Sequence, residues 1–177
     1  MTEEHKILDK TILDVAAKMV LAARTAPKTR GRNTIEMAIL SGDQKINLAE
    51  QMKTIGMETG AHYFERDAAN VLQSSCLVLI GTRIQTMQLP HCGLCGFADC
   101  ESKEKYKEVP CAYNITDLGI ALGSAVSVAM DHRIDNRVMY TAGMAARDLH
   151  LMGPDIKMVL AVPLSASSKN IFFDRKT

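Results

Sequence analysis

Three cysteines fall within the ten residues His91–Cys100, HCGLCGFADC, in a chain that has five in total. With Cys111 they give the spacing C-x2-C-x4-C-x10-C at Cys92, Cys95, Cys100 and Cys111. Cysteines at this density form disulfides, bind metal or serve a reactive redox centre. Four thiolates suit tetrahedral zinc or a 4Fe-4S cluster. Zinc sites of four cysteines more often pair two C-x2-C segments across a spacer, and the second pair is missing here, so the three-plus-one spacing favours the cluster. Gly93 and Gly96 let the backbone wrap around a centre and offer unhindered N–H groups to sulfur, donors that matter more when the centre is anionic. Cys111 lies just before an expected helix, whose N-terminal amides favour a thiolate. Cys76 opens an apolar run with no cysteine nearby in sequence and reads as core. His91 reads as cover for the centre rather than as a ligand. Two other readings stand beside the cluster: a non-enzymatic module whose cysteines bind zinc and stiffen a long loop, and a redox-sensing thiol group without metal.

The elements that must position these residues are legible from periodicity. Leu8, Ile12, Val15, Ala16, Met19 and Ala23 recur at three- and four-residue steps and predict a first helix over about 7–23, ending near Pro27 and Gly31. The loop that follows carries Lys28, Arg30 and Arg32. NTIEMAIL reads as a strand, residues 43–59 as a helix between Gly42 and Gly60, ERDAANVLQSS as a short helix, and CLVLIGT as a central strand covered on both sides. Periodicity stops between Arg83 and Pro110, a stretch long enough to be functional or disordered, in which Lys103, Glu104, Lys105, Lys107 and Glu108 read as solvated. NITDLGIALGSAVSVAM reads as a buried helix that Gly119 and Gly123 let another element approach. RVMYTAG reads as a strand, GMAARDLHLM as a helix, and IKMVLAVPLS as a strand closed by Pro163. Interleaved helices and strands give an α/β or α+β class. Asp131, His132, Arg133, Asp135 and Arg137 form the other polar concentration, read as an ion-paired helix end in preference to acid–base machinery.

With 177 residues the expectation is a single domain over 1–177, with 83–111 as a cysteine-rich insertion. A net charge of +1 gives no electrostatic case for nucleic acid or for an acidic membrane surface. The start MTEEHKILDK lacks the basic residues and apolar run of a signal peptide, so a cytoplasmic protein is expected. Disulfides are rare in that compartment, which turns the odd cysteine count toward metal or catalysis. No Ser-His-Asp order, P-loop or dinucleotide fingerprint supports a hydrolase or a nucleotide-fuelled mechanism.

Along HCGLCGFADC, PCAYNITDLGIALGSAVSVAMDHRIDNRVMYTAG, AARTAPKTRG and VPLSASSKNIFFDR the chain resembles a family of prokaryotic proteins described as containing a ferredoxin domain. The C-G-x-C-G-x-x-x-C segment is also similar to the small 4Fe-4S domain of corrinoid iron–sulfur proteins, which implies ligands at Cys92, Cys95, Cys100 and Cys111. A second resemblance, carried by AAKMVLAARTAPKTRG, CLVLIGT and DLGIALGSAVSVAMDHRIDNR in that order, is to the nitroreductase family. It implies an α+β flavoprotein scaffold with helices around a mainly antiparallel or mixed sheet, a homodimer, and FMN. The paired arginines and serine near that family's N-terminus are absent here, and its APS loop reads Ala26-Pro27-Lys28. Lys28, Arg30 and Arg32, joined by Lys169 and Arg175, are the cations that would hold a flavin phosphate through charge-assisted hydrogen bonds. Together these readings imply a redox protein in which one 4Fe-4S cluster passes single electrons.

Overall fold

A computed structural model describes residues 3–173. Helix α1 (Glu4–Thr25) buries the expected stripe of Ile12, Val15, Ala16, Met19 and Ala23. It ends because Pro27 excludes helical backbone at Ala26, whose ψ is 141°. A 3-10 turn, Thr29–Gly31, leads to strand β1 (Ile35–Leu40), helix α2 (Gly42–Thr59) and helix α3 (Tyr63–Gln73). Gly60, with φ +70°, takes the left-handed position that closes α2. Strand β2 (Cys76–Arg83) then runs into a long irregular segment holding only helix α4 (Cys100–Glu104) among its regular elements. Helix α5 (Ala112–Asp131), strand β3 (Asp135–Asn136), helix α6 (Tyr140–Asp148) and strand β4 (Ile156–Ser165) complete the order.

The sheet order is β1-β2-β4-β3 and every pairing is antiparallel. Antiparallel sheets usually alternate apolar and polar residues, yet β2 carries no polar residue from Leu77 to Gly81. Helices on both faces explain it. Leu77 and Leu79 pack with α2, α3 and α6, whereas Val78 and Ile80 pack with α1 and α5. The α+β expectation, with helices around a mainly antiparallel sheet, is the observed architecture. Among the described residues no helix is long and apolar enough to cross a membrane.

Three local expectations fail. RVMYTAG is not a strand: β3 holds only Asp135 and Asn136, Met139 makes an isolated bridge to Ala161, and Tyr140 already starts α6. Nor does Pro163 close β4, because it lies inside the strand opposite Leu77. The two failures share a cause. Asn136 pairs with Leu164 and Met139 with Ala161, so Arg137 falls opposite Pro163, which has no N–H to give. The ladder breaks there and the chain leaves to form α6. Lys103, expected to be solvated, is buried on α4.

Candidate functional site

Cys92, Cys95, Cys100 and Cys111 all line one cavity of about 370 Å³ between the 87–101 segment and the start of α5. Each is placed by a local rule. The C-x2-C segment is bent by a β-turn in which Gly96 N–H donates to the Gly93 carbonyl at 3.0 Å, with φ +60° at Gly93 and +84° at Gly96. Cys100 opens α4, whose N-cap is Asp99: its Oδ1 accepts the Ser102 N–H at 2.7 Å, and that bond holds the Asp99 carboxyl below its ordinary pKa. Cys111 is the N-cap residue of α5, as its place before the helix predicted, and its side chain makes no capping bond. Phe97 and Tyr106 stack at 5.2 Å between centroids and tie the loop down beyond α4. His91 is on the cavity wall with φ +56°.

Cys76 is elsewhere. It is fully buried in β2 opposite Leu164, and burial pushes its thiol up to about 12 against the opposing pull of Lys45, which keeps it protonated and inert at neutral pH. The donor set around the cavity is that of a four-thiolate centre. Among the described residues no group of three or more His, Cys, Asp or Glu side chains is drawn together tightly enough to hold a metal ion as it stands.

A polar network that the sequence reading missed fixes the base of the cysteine segment. On α5, Cys111, Asn114 and Asp117 follow at three-residue steps, and all three are buried. Asn114 Oδ1 accepts the Gln85 N–H at 3.0 Å. The Asp117 carboxyl accepts the Thr29 N–H at 3.0 and 3.1 Å and the Thr29 hydroxyl at 2.9 Å. Arg30 Nη1 donates to the Gln88 carbonyl at 3.0 Å and to that of Met87 at 3.3 Å, both on the cavity wall. Glu104 of α4 accepts from Thr86 and from Gln88 Nε2 at 2.5 and 2.6 Å. The available signal was three-residue spacing of polar groups after Cys111, at the start of an otherwise apolar helix.

The candidate phosphate cations are placed as follows. Lys28 Nζ donates to the carbonyls of Ala23, Arg24 and Ala26 at 2.7–2.8 Å, so it caps α1, and burial together with Arg24 lowers its pKa against Asp117. Arg30 is spent on the cysteine segment, and Arg32 is half-buried just before β1. Lys169 lies beyond β4, where its carbonyl accepts the Ser167 hydroxyl at 2.6 Å. Arg175 lies outside the described residues. Of the DHRIDNR group, Arg137 bonds the Phe172 carbonyl and lies 3.8 Å from Asp67, while His132 meets Lys18.

Comparison with known proteins agrees with this architecture. Residues 107–175 match the family described as uncharacterized protein containing a ferredoxin domain. An uncharacterized protein of Archaeoglobus fulgidus is 39% identical over 182 residues, covering 99% of this chain and 97% of that one. The nitroreductase CinD from Lactococcus lactis, in complex with nicotinic acid, matches the fold with a TM-score of 0.60 at 13% identity, over 100% of this chain and 84% of that chain. A nitroreductase with bound FMN from Desulfitobacterium hafniense matches with a TM-score of 0.57 at 12% identity, over 96% and 80%. Identities this low establish a nitroreductase-like fold and nothing about activity. The near full-length likeness to the archaeal protein goes further: the chain belongs to one family with it, and the ferredoxin-domain description attaches to residues 107–175.

Proposed function

We propose that this chain is a cytoplasmic iron–sulfur redox protein, a single domain over 1–177 in which the 83–111 insertion holds one 4Fe-4S cluster through Cys92, Cys95, Cys100 and Cys111. One observation carries the reading: the four cysteines of the spacing motif line a common cavity, and the fifth is sealed in the sheet. A bound cluster supplies one-electron transfer between a reduced donor and an oxidised acceptor. The residues of the chain supply the rest. Gly93 and Gly96 turn Cys92 and Cys95 toward one side, Asp99 fixes the helix that begins at Cys100, and α5 presents Cys111 at its N-terminus. Met87 and Phe97 on the cavity wall exclude water, which stabilises the cluster and sets its potential. Protein purified without oxygen should be brown and carry close to four irons and four sulfides per chain. Colourless protein with stoichiometric zinc would overturn the reading.

FMN is the second cofactor of this reading, with its phosphate at Lys28, Arg30, Arg32, Lys169 and Arg175. Its support is the nitroreductase-like fold alone, since Lys28 and Arg30 would have to exchange their present carbonyl partners for phosphate oxygens.

The reading also includes a homodimer through α5, with no nucleic-acid or membrane partner. Its support is an apolar, largely exposed face of α5. A Cβ added at Gly119 or Gly123 meets nothing within 4 Å, and Ile115 and Met130 on the same side are 52% and 62% exposed, opposite the stripe that packs on α1. Sedimentation at micromolar concentrations should give a mass of two chains. Monomer throughout that range would remove the dimer and with it the natural place for a flavin.

A further inference from the structure

Asn114 is fully buried, and among the described residues half of its side chain has no partner. Its Oδ1 accepts the Gln85 N–H, whereas Nδ2 meets no acceptor. The amide cannot simply be turned over. Reversed, Nδ2 would face the Gln85 N–H donor to donor, so the bonded oxygen fixes where the nitrogen points. A buried donor without an acceptor costs about 1–3 kcal/mol, and an apolar residue of similar size would avoid that cost. One turn upstream is Cys111, whose carbonyl accepts the Asn114 N–H at 2.9 Å. Cys111, Ala112 and Tyr113, the three residues before Asn114, all line the cysteine cavity.

We propose that Asn114 is a positioning residue for the centre at Cys111, with Nδ2 donating to a sulfur that comes within its reach only when the four sulfurs are drawn together in the loaded centre. The inference rests on Cys111 being a cluster ligand. A metal-bound thiolate or a cluster sulfide carries the negative charge that an amide donor seeks. The donor is therefore unmatched in the protein alone and matched in the loaded protein. Donors to sulfur stabilise the more negative, reduced state, so this one raises the reduction potential.

Two variants separate the halves of the amide. Asn114→Asp keeps an oxygen for the Gln85 N–H and replaces the donor, and Asn114→Ala removes both. The full chain and both variants are reconstituted anaerobically with iron and sulfide and titrated to the midpoint potential, read from the paramagnetic signal of the reduced cluster. The expected result is a lower potential in both variants, with the larger shift in Asn114→Asp. A shift in Asn114→Ala alone means that Asn114 acts only through Gln85 and overturns the proposal, as does an unchanged potential in both. If the buried carboxyl prevents folding, Asn114→Leu replaces it, and a wild-type potential there overturns the proposal equally. Wild-type protein that takes up no iron overturns the iron–sulfur reading together with this inference, whereas a loaded wild type with an unshifted Asn114→Asp overturns this inference alone.

Discussion

Replacing any one of Cys92, Cys95, Cys100 and Cys111 with serine is expected to abolish or convert the 4Fe-4S signal of anaerobically reconstituted protein, and serine at Cys76 to leave it intact. The contrast follows from placement. Cys92, Cys95 and Cys100 lie on a segment bent at Gly93 and Gly96, and Cys111 stands at the start of α5, across the spacer that follows Cys100. Cys76 is locked in β2 between α1 and α5, in register with Leu164, and burial pushes its thiol up to about 12, so it is protonated at neutral pH. Serine is close to cysteine in volume, so at Cys76 it costs only the burial of a hydroxyl, about 1–3 kcal/mol. At a ligand position it replaces a thiolate with a much poorer donor for iron. Iron and sulfide per chain, with the paramagnetic signal after reduction, give the measurement. A normal cluster in Cys111→Ser and a lost one in Cys76→Ser would show the ligand set to be wrong.

Much of the scaffold around that segment was legible because its elements state their faces locally. The stripe Ile12, Val15, Ala16, Met19 and Ala23 determines α1 before any contact is known, and the run Leu77–Ile80 can be apolar throughout only if both sheet faces are covered. The cysteine spacing singled out four residues that share one cavity for a similar reason, since turns at Gly93 and Gly96 are local. What stayed hidden depends on partners distant in sequence. Arg30 reads in the sequence as a cation for a flavin phosphate, yet it reaches carbonyls 57 and 58 residues away, and Asp117 holds Thr29 across 88. RVMYTAG has the β-branched and aromatic composition of a strand, and only the missing N–H of Pro163, on another strand, interrupts its ladder. Propensity lost to a tertiary constraint there.

Gly143→Ala is expected to destabilise the fold by roughly 3 kcal/mol or more, read as a lower urea midpoint with an unchanged slope. Helix propensity alone gives the opposite sign, because alanine in a helix interior is favoured over glycine by about 1 kcal/mol. Space decides against it. A Cβ at Gly143 would stand 1.9 Å from the Val159 carbonyl oxygen and 2.7 Å from its carbon, and these are backbone atoms of β4 that cannot rotate aside. Ala142, Ala145 and Ala146 flank this contact, all fully buried, so α6 is a helix of small residues lying directly on the strand. Withdrawing α6 to make room would also strain the bond from the Thr141 hydroxyl to Asp67, 2.9 Å long and buried, at a carboxyl that Arg66 and Arg137 share. If Gly143→Ala unfolds at the wild-type midpoint, α6 does not lie on β4 as closely as described.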